Sequence, residues 1–167
     1  MNYSIFEEKQ RFNQWWLWVL MIVVGIIPIG LQIYQIATIK NHLSNDSAMF
    51  SLILACFAAL LVFVLFFWTT LRTKLDKDGV HVRLSPFHIK WRYYAWSSIK
   101  SCQVRNYNPL TEYGGWGIKG TKHDRAFNIS GKQGIQFEFK DGNRLLIGTQ
   151  KAKEVQNWLS MNLVLTV

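Results

Sequence analysis

Trp15 to Ile36 (WWLWVLMIVVGIIPIGLQIYQI) and Ala48 to Trp68 (AMFSLILACFAALLVFVLFFW) contain no Asp, Glu, Lys, Arg or His, and their reading governs the rest of the chain. At a rise of about 1.5 Å per residue, each run makes a helix of roughly 30 Å, the thickness of a bilayer's hydrocarbon core. Two buried helices of a large soluble core would look similar, but the remaining residues are too few to cover them on every side. Both runs are therefore expected to span a membrane, joined by the loop Ala37 to Ser47. A cleavable signal peptide is not expected in the first run, which is too long, has no small-residue cleavage site and is followed by a second span.

Working outward, the chain divides into residues 1–14, a helical hairpin at 15–71 and a domain at 72–167. Charge divides with it. Residues 1–68 carry Lys9, Arg11 and Lys40 against Glu7, Glu8 and Asp46, so the whole formal charge of +9 belongs to residues 69–167. Lys9 and Arg11 precede the first run, and Arg72, Lys74 and Lys77 follow the second, whereas the intervening loop holds only Lys40. Lys and Arg concentrate on cytoplasmic flanks, so both termini are expected in the cytoplasm of a bacterial cell, with the chain in its inner membrane. The aromatic groups Trp15, Trp16, Trp18 and Phe66, Phe67, Trp68 would lie in one interfacial belt. Ser51, Ala55 and Ala59 make a small-residue stripe suited to close approach of a helix, with Gly25, Pro28 and Gly30 in the first run as its nearest partners. Without an ionisable residue in either run, an ion or proton path is not expected.

Residues 72–167 read as short strands separated by turn residues. Val80, Val82 and Leu84 alternate with His81 and Arg83, and Phe87, Ile89 and Trp91 alternate with His88 and Lys90. A tight connection at Ser85-Pro86 would pair Leu84 with Phe87, Val82 with Ile89 and Val80 with Trp91, placing all six on one buried face. The opposite face would then carry His81, Arg83, His88, Lys90 and Arg92. Further strands are expected at Ile99–Tyr107, Arg125–Ser130 and Gly134–Lys140, the last turning at Asp141-Gly142 into Asn143–Thr149. From Lys151 an amphipathic helix follows, with Val155, Trp158, Leu159 and Leu163 on its apolar stripe.

That order of elements resembles a pleckstrin-homology-like (PH-like) barrel, in which a C-terminal helix plugs one open end. Asp78-Gly79-Val80-His81-Val82, Trp96-Ser97-Ser98-Ile99 and Asp141 to Thr149 (DGNRLLIGT) are similar to bacterial PH-like domains found beside one or two membrane spans. Glu112 to Ile118 (EYGGWGI) with Ala126 to Gly131 (AFNISG) resembles a membrane-attached subgroup of them. The resemblance implies an α+β chain: an N-terminal transmembrane helical hairpin, then an antiparallel barrel or sandwich capped by a helix. It implies no activity, because this fold hosts lipid binding, peptide binding and oligomerisation alike.

Two groups of residues are candidate sites. Tyr113, Gly114, Gly115, Trp116 and Gly117 form a glycine-rich loop that lacks the Gly-Lys-Ser/Thr and following helix of a phosphate loop. It is expected to be either a structural turn or a recognition loop presenting Trp116. Arg83, Lys90, Arg92, Lys119, Lys122 and Arg125 are expected to form a basic face. Arg83 with Lys90-Trp91-Arg92 resembles, in part, the basic strand-loop-strand motif by which eukaryotic PH domains grip phosphoinositides. An anionic leaflet is a more natural bacterial partner, each Lys or Arg near it contributing on the order of 1 kcal/mol.

No catalytic set is expected. His42, His81, His88 and His123 are scattered, and Cys56 and Cys102 fall in different parts of the chain, with no disulfide or metal spacing. No cofactor is expected either. Lys90-Trp91-Arg92-Tyr93-Tyr94 interleaves basic and aromatic residues as nucleic-acid binders do, but the inferred hairpin turns Trp91 and Tyr93 inward, so nucleic acid is not an expected partner. The functional expectation is a membrane-anchored, non-enzymatic interaction module that binds a protein partner or itself. The alternative is an anionic-lipid binder held to the membrane by its basic face.

Overall fold

In the computed structural model, residues 5–12, 15–38 and 45–162 are described, and they form an α+β chain of two compact units, residues 13–68 and residues 1–12 with 69–167. Lys40, His42, Leu163 and Thr166 lie outside the described residues. The elements run β1 (Phe6–Arg11), α1 (Trp15–Thr38), α2 (Asn45–Trp68), β2 (Thr70–Leu75), β3 (Gly79–Ser85), β4 (Arg92–Ala95), β5 (Ile99–Asn106), α3 (Pro109–Tyr113), β6 (Gly117–Gly120), β7 (Asp124–Asn128), β8 (Gln133–Phe139), β9 (Arg144–Gly148) and α4 (Ala152–Asn162).

In the helical unit, α1 and α2 pack on each other. Gly25 faces Ala59 across a distance that would leave an added Cβ 3.8 Å from the Ala59 Cβ, and Trp18 meets Phe63 edge-on at 5.7 Å. Of the small-residue stripe, Ala59 thus meets Gly25, whereas a Cβ placed at Gly30 would have nothing within 4 Å. Within α2, Met49–Trp68 is long and apolar enough to cross a membrane and is not buried by protein; α1 contains a shorter apolar segment, Met21–Gln35.

The second unit stacks two sheets. One is antiparallel in the order β1-β2-β3-β4, and the other is mixed, in the order β5-β8-β9-β7-β6. Leu71, Leu75, Val80, Val82 and Leu84 from the first sheet share one core with Phe127, Ile135, Phe137, Leu145 and Ile147 from the second, and α4 adds Val155, Trp158 and Leu159. Trp158 stacks at 6.1 Å on Trp96, whose indole N–H donates to the Asp76 carbonyl at 2.8 Å. No ladder joins the two sheets among the described residues, so the architecture is a two-sheet sandwich with a C-terminal helix and not a closed barrel.

Three sequence expectations need correction. First, residues 1–14 are not a separate segment. Phe6–Arg11 pairs with β2 in full register, Lys9 opposite Arg72 and Arg11 opposite Thr70, and so belongs to the domain. Its alternation is not one of apolar and polar residues, because the inward positions after Phe6 are polar: Glu8 and Gln10 are buried. Their partners explain the burial. Glu8 accepts hydrogen bonds from the Thr149 hydroxyl at 2.6 Å and the Gln150 amide at 2.8 Å, and the Gln10 amide donates to the Gly148 carbonyl at 2.7 Å. Buried polar groups are tolerated when satisfied in this way; of these two side chains, only the Gln10 Oε1 is left without a partner among the described residues.

Second, the β3–β4 register differs. Val82 faces Arg92, Val80 faces Tyr94 and Gly79 faces Ala95, a shift of three residues from the expected pairing. Pro86 has no N–H to give a ladder, and the His88 amide instead bonds the Leu84 carbonyl at 2.7 Å, so residues 86–91 form a loop. An odd shift exchanges the faces of a strand. Phe87, Ile89 and Trp91 are consequently 61%, 84% and 39% exposed, and Arg92 turns inward. Third, the strands are not all antiparallel: β7 runs parallel to β9, Asp124 opposite Arg144.

Replacing Glu8 by Ala would leave the Thr149 hydroxyl and the Gln150 amide without their acceptor. A loss of about 1–3 kcal/mol in stability is expected. Hydrogen exchange of the full-length protein should show it as faster exchange at the β1–β2 amides, with α2 unaffected.

Candidate functional site

Between the outer edge of β4 and the turn joining β8 to β9 lies a cleft of about 700 Å³, lined by Tyr93, Tyr94, Ala95, Ser98, Lys122, Arg125, Phe139, Lys140, Asp141, Asn143, Arg144 and Leu145. The strands on either side belong to different sheets, and β4 is the free edge of the first. Its floor is aromatic, with Tyr94 and Phe139 in contact at 5.4 Å. Its rim carries Lys122, Arg125, Lys140 and Arg144 against two carboxylates, Asp124 and Asp141, both already engaged. Asp124 pairs with Arg144 at 2.6 Å, and Asp141 accepts from the Asn143 amide and side chain at 2.9 and 2.6 Å. Among the described residues, Lys122, Arg125 and Lys140 have no ion-pair partner. The arrangement offers positive charge beside flat apolar surface, which suits an anionic, extended or aromatic-bearing ligand.

The six residues expected to form one basic face are dispersed by the observed register. Lys122 and Arg125 line the cleft. Lys119 is on β6, opposite Ala126. Lys90 is in the exposed loop, and Arg92 points inward over the Phe127 ring at 5.6 Å. Arg83 is on the outer face of the first sheet, opposite Arg72, which in turn is opposite Lys9. Lys140, Arg144, Tyr93 and Tyr94 were not singled out from sequence. The Asp141-Gly142 turn was the available signal, because it fixes both Lys140 and Arg144 at one end of the β8–β9 hairpin.

The glycine-rich loop is built into the fold. Asn108 caps α3 by accepting from the Leu110 and Thr111 amides, and Gly114 ends it in the left-handed region at φ 69°. The buried Asn128 side chain accepts from the Gly117 amide at 2.9 Å and donates to the Tyr107 hydroxyl at 3.0 Å. The Tyr113 hydroxyl donates to Asp124 at 3.2 Å. Burial, together with the Asp124 charge, pushes the Tyr113 phenol up to about 12. Trp116 is half-buried and Gly115 is buried. These contacts give Tyr113, Gly114 and Gly117 defined places in the fold.

Other titratable groups are equally committed. Burial pushes the Cys102 thiol up to about 12, leaving it protonated and unreactive at neutral pH. Burial would raise the Asp76 carboxyl, but the Gly79 and Asp78 amides, with His81 and Lys74 nearby, together hold it below the usual range. No group of His, Cys, Asp or Glu capable of holding a metal occurs among the described residues. Trp91 and Tyr93 are on the surface, so inward burial is no argument against nucleic acid; the membrane-type helix remains one.

Compared with known proteins, the chain matches no protein-family model and no curated protein sequence.

His88 gives a pH prediction. Its ring meets Phe127 edge-on at 5.2 Å, and desolvation, together with the Arg92 and Arg125 charges, lowers its pKa below 6.5. The folded state therefore binds fewer protons than the unfolded state below that pH, and the stability contribution is lost as the pH falls through that window. Nuclear magnetic resonance titration should place His88 below 6.5, and Arg125→Gln should move it upward.

Proposed function

We propose that this chain is a membrane-anchored, non-enzymatic binding module whose globular unit takes an acidic, extended protein segment into the cleft beside β4. The observation that carries the reading is the set of unpaired cations, Lys122, Arg125 and Lys140, beside Tyr93, Tyr94 and Phe139 at an unclosed sheet edge. An edge strand next to such pockets suits an extended segment, whose backbone can add to the strand while its side chains fill the cleft. A second copy of the same chain fits less well, because residues 69–167 hold the entire +9 and two basic surfaces repel.

Anchoring by two spans draws support from β1 and β2. Arg11 and Thr70 are opposite each other, so the chain leaves and rejoins one sheet at adjacent strands. A segment that departs and returns on one side crosses a membrane an even number of times. With α2 as one crossing, α1, 24 residues without a charge, is the second. Lys9, Arg11, Arg72 and Lys74 beside these connections favour the cytoplasmic side of a bacterial inner membrane. The two-sheet sandwich with its C-terminal helix is compatible with the PH-like resemblance.

Full-length protein in zwitterionic nanodiscs, titrated with a fluorescent Glu-rich peptide containing one aromatic residue, tests this reading. Exposed charge contacts contribute up to about 1 kcal/mol each. Lys122→Glu with Lys140→Glu should thus weaken binding by roughly tenfold, while Lys132→Glu should leave it unchanged. Absence of binding at low salt, or equal loss with Lys132→Glu, would contradict the cleft as the site.

A further inference from the structure

The β3–β4 loop carries three apolar side chains into solvent, and its construction shows that this exposure is imposed. The His88 amide closes the turn on Leu84, the His88 ring packs inward on Phe127, and Arg92 covers the same ring. With residues 88 and 92 held inward, the intervening loop residues Ile89, Lys90 and Trp91, and Phe87 before them, are exposed. Such a cluster is costly on a soluble surface unless something apolar covers it.

The loop's place in the sheet identifies the cover. It leaves β3 at Ser85, Ser85 is opposite Thr70, and Thr70 is opposite Arg11. Arg11 and Thr70 are the strand residues nearest the two connections to α1 and α2, so the loop emerges from the end of the sheet at which the chain departs for its membrane-type helix and returns. The same end is unusually basic. Lys9, Arg72 and Arg83 face one another across three adjacent strands, a repulsive row. None of them, nor Arg11 or Lys90, is in an ion pair among the described residues, and the buried Arg83 Nε has no hydrogen-bond partner there. An anionic surface would answer that row while an apolar layer covers the loop.

We infer that Phe87, Ile89 and Trp91 insert into the interfacial layer of an anionic bilayer, with Lys9, Arg11, Arg72, Arg83 and Lys90 on the lipid phosphates. This attachment is separate from the helical anchor and is salt-sensitive. The mechanism is that of an interfacial anchor: aromatic and aliphatic groups seat among the headgroups while basic neighbours supply attraction that fades within a Debye length. The cleft beside β4 opens toward the other end of the sheet, at Tyr93 to Ser98, and stays available to a soluble partner.

The inference rests on the reading of α2 as a membrane span, and the experiment separates the two. Full-length protein with Cys56→Ser and Cys102→Ser is given one environment-sensitive label at Ile89→Cys, at Phe57→Cys in α2, or at Lys140→Cys. It is then placed in nanodiscs of zwitterionic lipid, or of zwitterionic lipid with phosphatidylglycerol, containing a lipid-attached quencher. The expected result is strong quenching at position 57 in both lipids, at position 89 severalfold more in the anionic one and reduced by high salt, and none at 140. Arg72→Glu with Arg83→Glu should abolish the anionic preference at 89. Quenching at 57 but none at 89 would overturn the loop inference and leave the span standing. Absence of quenching at 57 would overturn both.

Discussion

The pairing of β1 with β2 is the constraint on which the rest depends. These strands are separated in sequence by the entire helical segment, yet they form an unbroken ladder, from Phe6 opposite Leu75 to Arg11 opposite Thr70. Backbone hydrogen bonds alone do not select this partner for β1. Selection comes from the inward Glu8 and Gln10, whose acceptor and donor atoms meet Thr149, Gln150 and Gly148 at the end of β9 and the approach to α4. A register slip of one residue would turn both polar groups to solvent and strand their partners. The domain is therefore discontinuous, and the segment carrying α1 and α2 is an insertion between its first two strands.

That arrangement gives the sandwich two unlike ends. At one end are both connections to the helices, the Lys9–Arg72–Arg83 row and the outward loop of Phe87, Ile89 and Trp91. At the other, along strands rising about 3.3 Å per residue, the unclosed edge of β4 leaves a basic and aromatic cleft. Surplus charge at both ends is destabilising in isolation; Asp124 is paired with Arg144 and Asp76 with Lys74 and His81, which leaves Glu7 on β1 as the carboxylate beside the Lys9–Arg72–Arg83 row. The proposed anionic surroundings at one end and the proposed acidic partner at the other would relieve it.

The apolar runs, the β8–β9 hairpin and α4 were legible in the sequence because each has an uninterrupted pattern: continuous apolarity, strict alternation about Asp141-Gly142, and helical spacing of Val155, Trp158 and Leu159. β1 was not legible, since its inward positions are Glu8 and Gln10 and only tertiary contacts justify burying them. The β3–β4 hairpin misled for the opposite reason. Phe87, Ile89 and Trp91 alternate as a buried strand would, yet a proline and the inward anchoring of His88 place them in a loop. The basic face dissolved with that register, because a three-residue shift turns Arg92 inward while Arg83 stays on the outer face. Lys122 and Arg125 survived as neighbours because both depend on β7 and its turn; Lys140 and Arg144 joined them only through the sheet order β8-β9-β7.

The most direct measurement of the account is the proximity of residues 9 and 72 across the helical insertion. Spin labels at Lys9→Cys and Arg72→Cys, in full-length protein carrying Cys56→Ser and Cys102→Ser and embedded in bilayers, should show strong dipolar broadening, since directly opposite residues have Cβ atoms about 4.5–5.5 Å apart. Diluting labelled protein with unlabelled protein should leave the broadening intact. A spectrum equal to the sum of the two singly labelled proteins, or broadening that disappears on dilution, would contradict a domain assembled from both sides of the helical segment.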